Sequence, residues 1–126
     1  MDIRDNLKYT SDHEWLHLDG DVATIGITDY AQKELGDVVF VEVETEGENL
    51  DQGDTFGTIE AVKTVSDMYM PVSGEVLEFN EELEDQPELV NKEPYDSGWI
   101  VKVKVTDKDQ LANLLGPEEY KKVIES

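Results

Sequence analysis

The sequence predicts a mainly β protein: a flattened barrel or sandwich of two small antiparallel sheets, with short helices and a helical C-terminus. Short runs rich in β-branched and aromatic residues recur along the 126 residues, among them Trp15-Leu16-His17-Leu18, Val22 to Ile27 and Val101 to Val105. Turn residues separate them, such as Asp19-Gly20 and Asp51-Gln52-Gly53-Asp54. No long crossover helix stands between the runs, which argues against a parallel sheet. This length fits one domain, residues 1–126, with a modest core.

Taken in order, Asp19-Gly20 joins the first two runs as a hairpin. Thr28 is placed to cap a short helix through Leu35, with Ala31 and Leu35 on its buried side and Gly36 as its stop. Val39, Val41 and Val43 alternate with Phe40, Glu42 and Glu44, the period of a half-buried strand. Two extended arms, Phe56 to Ala61 and Thr64 to Met70, make residues 56–70 a hairpin with Lys63 at its tip. Val76 to Asn80 is another strand. The stretch Glu81 to Asn91 is too acidic and broken for a core strand, and a one-turn helix is expected near Pro87. Trp99, Val101, Val103 and Val105 alternate with Ile100, Lys102 and Lys104, giving a strand whose Trp side faces the core. Residues 107–125 read as helical: Leu111, Leu114 and Leu115, then Tyr120, Val123 and Ile124, form two faces punctuated by Gly116-Pro117. A faint echo between Val39-Phe40-Val41-Glu42-Val43 and Gly74-Glu75-Val76-Leu77-Glu78-Phe79 suits two sheet halves about an approximate two-fold axis, with Lys63 at one end.

Ten basic and 31 acidic residues give a formal net charge of -21. Such a charge repels phosphate backbones and anionic lipid, so neither nucleic acid nor a membrane surface is an expected partner. No segment has the apolar length to span a bilayer, and Met1-Asp2-Ile3-Arg4-Asp5 does not start a secretory leader. The expectation is a soluble intracellular chain: cytoplasmic if prokaryotic, in the mitochondrial matrix if a processed eukaryotic one. Cysteine is absent and His13 and His17 alone do not make a zinc site, so no metal is expected. The acidity has two readings, solubility or a salty interior on one side and a carrier that meets larger partners through complementary charge on the other. Composition does not separate them.

Lys63 stands in Thr58-Ile59-Glu60-Ala61-Val62-Lys63-Thr64-Val65-Ser66-Asp67, between Gly57 and Gly74. A turn lysine is ordinarily just a solvated residue, but a turn held by two paired strands also supplies the exposure and reach that an attaching enzyme needs. Glu60-Ala61-Val62-Lys63, Ser66-Asp67 and Pro71-Val72-Ser73-Gly74-Glu75-Val76 together resemble the lipoyl-attachment region of the H proteins of the glycine cleavage system. The resemblance covers nearly the whole chain, through Leu7-Lys8-Tyr9, His13-Glu14-Trp15, Val22 to Thr28, Gly36-Asp37-Val38-Val39-Phe40-Val41, Pro94-Tyr95, Gly98-Trp99 and Leu114-Leu115-Gly116. Lipoyl and biotinyl domains share a fold, so the attachment motif alone is moderately specific; the ordered set is far more so.

The resemblance implies a lipoyl-domain-like fold with lipoate joined to Lys63 through an amide, and Val62 and Thr64 as recognition neighbours. It implies a carrier and no enzyme. In that family the arm takes an aminomethyl group from a pyridoxal-phosphate-dependent glycine decarboxylase and delivers it to a tetrahydrofolate-dependent aminomethyltransferase. Dihydrolipoamide dehydrogenase then reoxidises the dithiol, and a lipoate ligase or lipoyl transferase installs the arm. Matching positions make Glu14 and Asp67 the acidic residues near the docked amine. Read without the resemblance, Glu14 is equally a solvent-facing charge, while Glu60 and Asp67 flank the turn as recognition residues or as a solvated face. His13 reads as a structural or rim hydrogen-bonding residue and Trp15 as a packing residue. Asp12 departs from the small hydroxyl residue often found before His13, and Met68-Tyr69-Met70 is bulkier than usual. Rival readings are an H-like protein that relays lipoyl groups, a biotinyl or lipoyl carrier of another complex, and a plain β-sandwich module. Biotin carriers usually place methionines beside the lysine, where this chain has Val62 and Thr64.

Overall fold

The computed structural model describes residues 2–125. One sheet runs in the order β1 (Lys8–Tyr9), β2 (Glu14–Asp19), β3 (Val22–Ile27), β9 (Val101–Val105), β8 (Gly74–Phe79), β5 (Asn49–Leu50). The second runs β4 (Val38–Glu42), β6 (Thr55–Ala61), β7 (Val65–Tyr69). Every pairing within these sheets is antiparallel. The mainly β architecture is the expected one, although among the described residues the sheets are unequal, with six strands and three.

The main core lies between the sheets, where Leu16, Ile25, Val41, Ile59, Met68, Val76 and Val103 are all buried. Alternation along β2 explains its two burdens: Glu14, Leu16 and Leu18 share the inward face, while Trp15 turns outward. Trp15 is nevertheless buried, in a second cluster with Leu7, Tyr9, Tyr95 and Tyr120. Its ring covers Gly26, its register partner on β3, and a Cβ there would stand 2.7 Å from the indole Nε1. The indole N–H donates to the Pro94 carbonyl at 2.9 Å.

Helix α1 (Asp29–Leu35) is capped by Thr28, the residue after β3, whose Oγ1 accepts the Ala31 N–H at 3.1 Å. Ala31 and Leu35 are half-buried against the core. Gly36 ends the helix at φ +81° and ψ -160°, a conformation only glycine adopts freely. Two one-turn helices follow β8. The second, α3 (Leu89–Lys92), is the one expected near Pro87; the first, α2 (Glu82–Asp85), was unanticipated in the acidic run and is pinned by buried Leu83. The chain ends in a 3-10 helix at Lys108–Asn113 and then α4 (Pro117–Glu125). Tyr120 of α4 is fully buried and stacks on Tyr9 with ring centroids 4.6 Å apart.

Three local expectations differ from the structure. In β4 the alternation fails: Val38 and Val41 face the core, and a bulge between Val38 and Phe40 turns Val39 and Phe40 to solvent. Before β9, Ile100 is the buried residue and donates its N–H to the Ile25 carbonyl at 2.9 Å. Trp99 is half-buried outside the main core, with the Lys102 ammonium 4.9 Å from its ring centroid. In the tail, Val123 is exposed, and the first helical face is only the tight 3-10 turn.

Candidate functional site

β6 and β7 pair from Thr55 and Tyr69 up to Glu60 and Val65, and the chain reverses through Val62 and Lys63. The Ala61 N–H donates to the Thr64 carbonyl at 2.8 Å, closing the turn. The Val62 N–H donates to the Asp37 carbonyl at 2.9 Å, tying the tip to the segment just after α1. Val62, Lys63 and Thr64 are all exposed. The Lys63 stem lies across Gly36: a Cβ on that glycine would stand 3.2 Å from the lysine Cε and 3.8 Å from Nζ. Glycine at residue 36 therefore serves twice, stopping the helix and leaving a cradle for the lysine stem.

Beside this cradle a cleft of about 160 Å³ opens between α1, the start of β2 and β7. Its apolar wall is Ile27, Ala31, Leu35, Ile59 and Met68; Asp12, Glu14 and Glu34 bring carboxyl groups to it, with His13 and Ser66 beside them and Asp67 at its rim, on the outward side of edge strand β7. Glu14 and Asp67 thus border one cleft. Lys63, Val62 and Thr64 do not line it; they sit at the adjoining tip.

Glu14 is only 3% exposed, so the solvent-facing reading of it fails. It is held because β7 is an outer strand whose Tyr69 N–H faces away from β6: that N–H donates to Glu14 Oε2 at 2.6 Å. The Thr10 hydroxyl makes a longer contact of 3.4 Å with Oε1. Burial pushes the Glu14 carboxyl up to about 8, outweighing the Tyr69 amide, which favours the ionised form. Asp67 is exposed on β7.

His13 adopts φ +67°, in the left-handed region. The bend is held by its N–H donating to the Thr10 carbonyl at 3.1 Å and by the Thr28 N–H donating to its carbonyl at 3.0 Å. Its Nδ1 lies 2.9 Å from the Tyr120 hydroxyl, which is 2.7 Å from Thr28 Oγ1. Burial lowers the imidazole pKa. His13 is therefore a rim residue bound into the scaffold, as expected. Trp15 packs away from the cleft, and Met68 and Met70 pack in the core.

An apolar wall edged by carboxylates suits an unbranched apolar chain ending in a cation. Sequence reading missed Glu34, Gly36 and the Tyr69 amide as parts of this arrangement. Glu34 carries a usable signal, since it lies three residues from Ala31 on the same side of a short helix. The Tyr69 amide carries none, because a backbone group at a sheet edge leaves no mark in side-chain pattern. Among the described residues, no group of three or more His, Asp or Glu is arranged to hold a metal ion.

Comparison with known proteins covers nearly the whole chain. The family model described as Glycine cleavage H-protein matches residues 7–126. The chain is 57% identical over 124 residues to the glycine cleavage system H protein of Bacteroides fragilis, covering 98% of each. It is 55% identical over 125 residues to that of Halothermothrix orenii, covering 99% of this chain and 98% of the other. The crystal structure of a glycine cleavage system H protein from Mycobacterium marinum superposes with a TM-score of 0.88 at 35% identity, over 98% of this chain and 100% of that one. These likenesses set aside the biotin-carrier and plain-sandwich readings. On its fold, its motifs and its full-length relatives, the chain belongs to the glycine cleavage H-protein family, the lipoyl-carrying component of the glycine cleavage system.

Proposed function

We propose that lipoate is joined through an amide to Lys63, and that the chain carries this arm between enzymes while catalysing no step itself. The observation that carries the reading is the placement of Lys63: at the tip of a two-stranded turn, with its stem in the Gly36 cradle and the mouth of the cleft beside it. When attached, the lipoyl group supplies a disulfide that accepts the one-carbon unit of glycine together with its amine. The chain's own residues supply exposure, reach and a refuge. Ile27, Ala31, Leu35, Ile59 and Met68 offer the arm an apolar lining; Glu14 offers a carboxyl whose ionised form an arriving ammonium favours, and Asp67 adds a carboxylate at the rim. Asp12 and Glu34 add negative potential at the rim, so the Asp12 departure reinforces the cleft's polarity.

The partners that follow are the pyridoxal-phosphate-dependent glycine decarboxylase, the tetrahydrofolate-dependent aminomethyltransferase and dihydrolipoamide dehydrogenase. A lipoate ligase or lipoyl transferase recognises Val62 and Thr64 beside Lys63. The bacterial relatives support a cytoplasmic setting, and among the described residues no helix is long and apolar enough to cross a membrane.

Peptide mass analysis after co-expression with lipoate ligase tests the assignment. The lipoyl mass is expected on the Lys63 peptide alone and absent from Lys63→Arg. Undiminished modification of Lys63→Arg would sink it.

A further inference from the structure

The register of the three-stranded sheet sets two side-chain rows on its outward face. Phe40, Glu60 and Val65 lie side by side on β4, β6 and β7, and Glu42, Thr58 and Asp67 form the next row. The β4 bulge adds Val39 beside Phe40, and Val62 stands at the turn. These are large apolar side chains in water: Val62 is 75% exposed, Val65 61%, Val39 51% and Phe40 44%. Among the described residues, the other exposed large hydrophobics, Leu77 and Val123, lie on β8 and α4. Singly exposed apolar residues need no explanation; four gathered beside one lysine do. Neither β4, β6 nor β7 contains a lysine or arginine, while Glu42, Glu60 and Asp67 share the face with the apolar groups. Asp37, whose carbonyl holds the turn, is exposed at its edge.

We propose that this face is the seat of the enzyme that forms the amide on Lys63, and that the enzyme meets it with apolar side chains ringed by lysines or arginines. The inference rests on Lys63 being the modified residue. The occupant follows from reach. An enzyme that makes a bond to Nζ has to enclose the lysine itself, and so touches Val62 and Val65; enzymes acting at the far end of a finished arm meet it an arm's length away. In the step itself the ε-amine attacks the carbonyl of an acyl adenylate: the C–N bond forms, the C–O bond to the adenylate breaks, and the nitrogen gives up a proton. An apolar centre with an acidic surround is the anatomy of a protein interface whose partner is basic. The bulge fits this role, since bulges re-aim side chains and here Val39 and Phe40 are withheld from the core.

The test measures initial rates of lipoylation of the full-length unmodified protein by purified lipoate ligase with lipoate and ATP, read as the mass of the Lys63 peptide. Phe40→Thr and Val65→Thr are compared with wild type and with Leu77→Thr, an apolar residue on the other sheet about as exposed as Phe40. Circular dichroism checks folding, and Val39→Thr replaces any variant that does not fold. The two face variants are expected to lose about tenfold in kcat/KM, mainly through KM, while Leu77→Thr stays within about twofold. The wild-type value is expected to fall as salt is added. Wild-type rates in all the face variants would overturn the proposal. So would a loss confined to exchange with glycine decarboxylase when every protein is fully lipoylated beforehand, which would give the face to that enzyme. A wild type unmodified at Lys63 would remove the underlying carrier assignment instead.

Discussion

Glu14 accepts the Tyr69 amide while being walled off from water, and the two effects pull its protonation in opposite directions. Burial wins, raising the carboxyl from 4.5 to about 8. A folded state that keeps a proton the unfolded chain has lost is favoured at low pH; this contribution is fully present below the unfolded value and is lost as pH rises toward the folded one. Glu14→Gln removes that titration while keeping an oxygen for Tyr69. Urea unfolding should show the variant gaining on wild type between about pH 5 and pH 8, by roughly 3–4 kcal/mol. A constant difference across that range would show that Glu14 does not carry the linkage. Glu14→Ala leaves the Tyr69 amide without its acceptor and should cost about 1–3 kcal/mol near pH 5, a deficit superimposed on the same lost titration, so the Gln variant is the cleaner probe of arm docking. In that variant ammonia release from the aminomethyl-loaded protein should be faster than in wild type; an equal rate would remove Glu14 from the docking role. The burial of Glu14 was legible in one respect, for it shares the inward face of β2 with Leu16 and Leu18. The partner that makes burial tolerable was not, because it is a backbone amide 55 residues away.

At the scale of elements, α1 and its two ends fix where the lysine stem can lie. Thr28 and Gly36 were readable as cap and stop, since both act through local backbone geometry. Thr28→Ala loses the Ala31 N–H contact and the Tyr120 hydroxyl together, and should lower stability by about 1–2 kcal/mol in urea unfolding. Gly36→Ala forces a Cβ into a glycine-only conformation and up against the Lys63 stem, at a cost of about 1–3 kcal/mol. Its lipoylation rate should fall as well, because the displaced lysine no longer rests in its cradle. An unchanged urea midpoint would show that residue 36 tolerates a side chain after all. The β4 bulge was hidden because pairing register belongs to two strands at once, whereas the valine alternation belongs to one. Helix α2 was hidden by the acidic run around Leu83, whose single buried side chain is too little for a periodicity.

Across the whole molecule, the formal charge of -21 spreads over a fold whose core is divided between the sheets and the aromatic cluster beneath α4. The family was legible because its motifs punctuate the entire chain in order. The inequality of the two sheets was not, since β1 and β5 are two-residue strands that local pattern does not reveal. Such a charge makes association with basic surfaces fast at low salt and weak at high salt. Carrier turnover with each partner enzyme should therefore decline as ionic strength rises, and salt-independent rates would reduce the acidity to a matter of solubility. The carrier role itself is tested most directly by exchange of labelled carbon dioxide into the carboxyl of glycine, catalysed by purified glycine decarboxylase. The unmodified protein, the lipoylated protein and Lys63→Arg treated with ligase are compared. Exchange should be strongly stimulated by the lipoylated protein alone; equal stimulation by the unmodified protein or by Lys63→Arg would contradict a role built on an arm at Lys63.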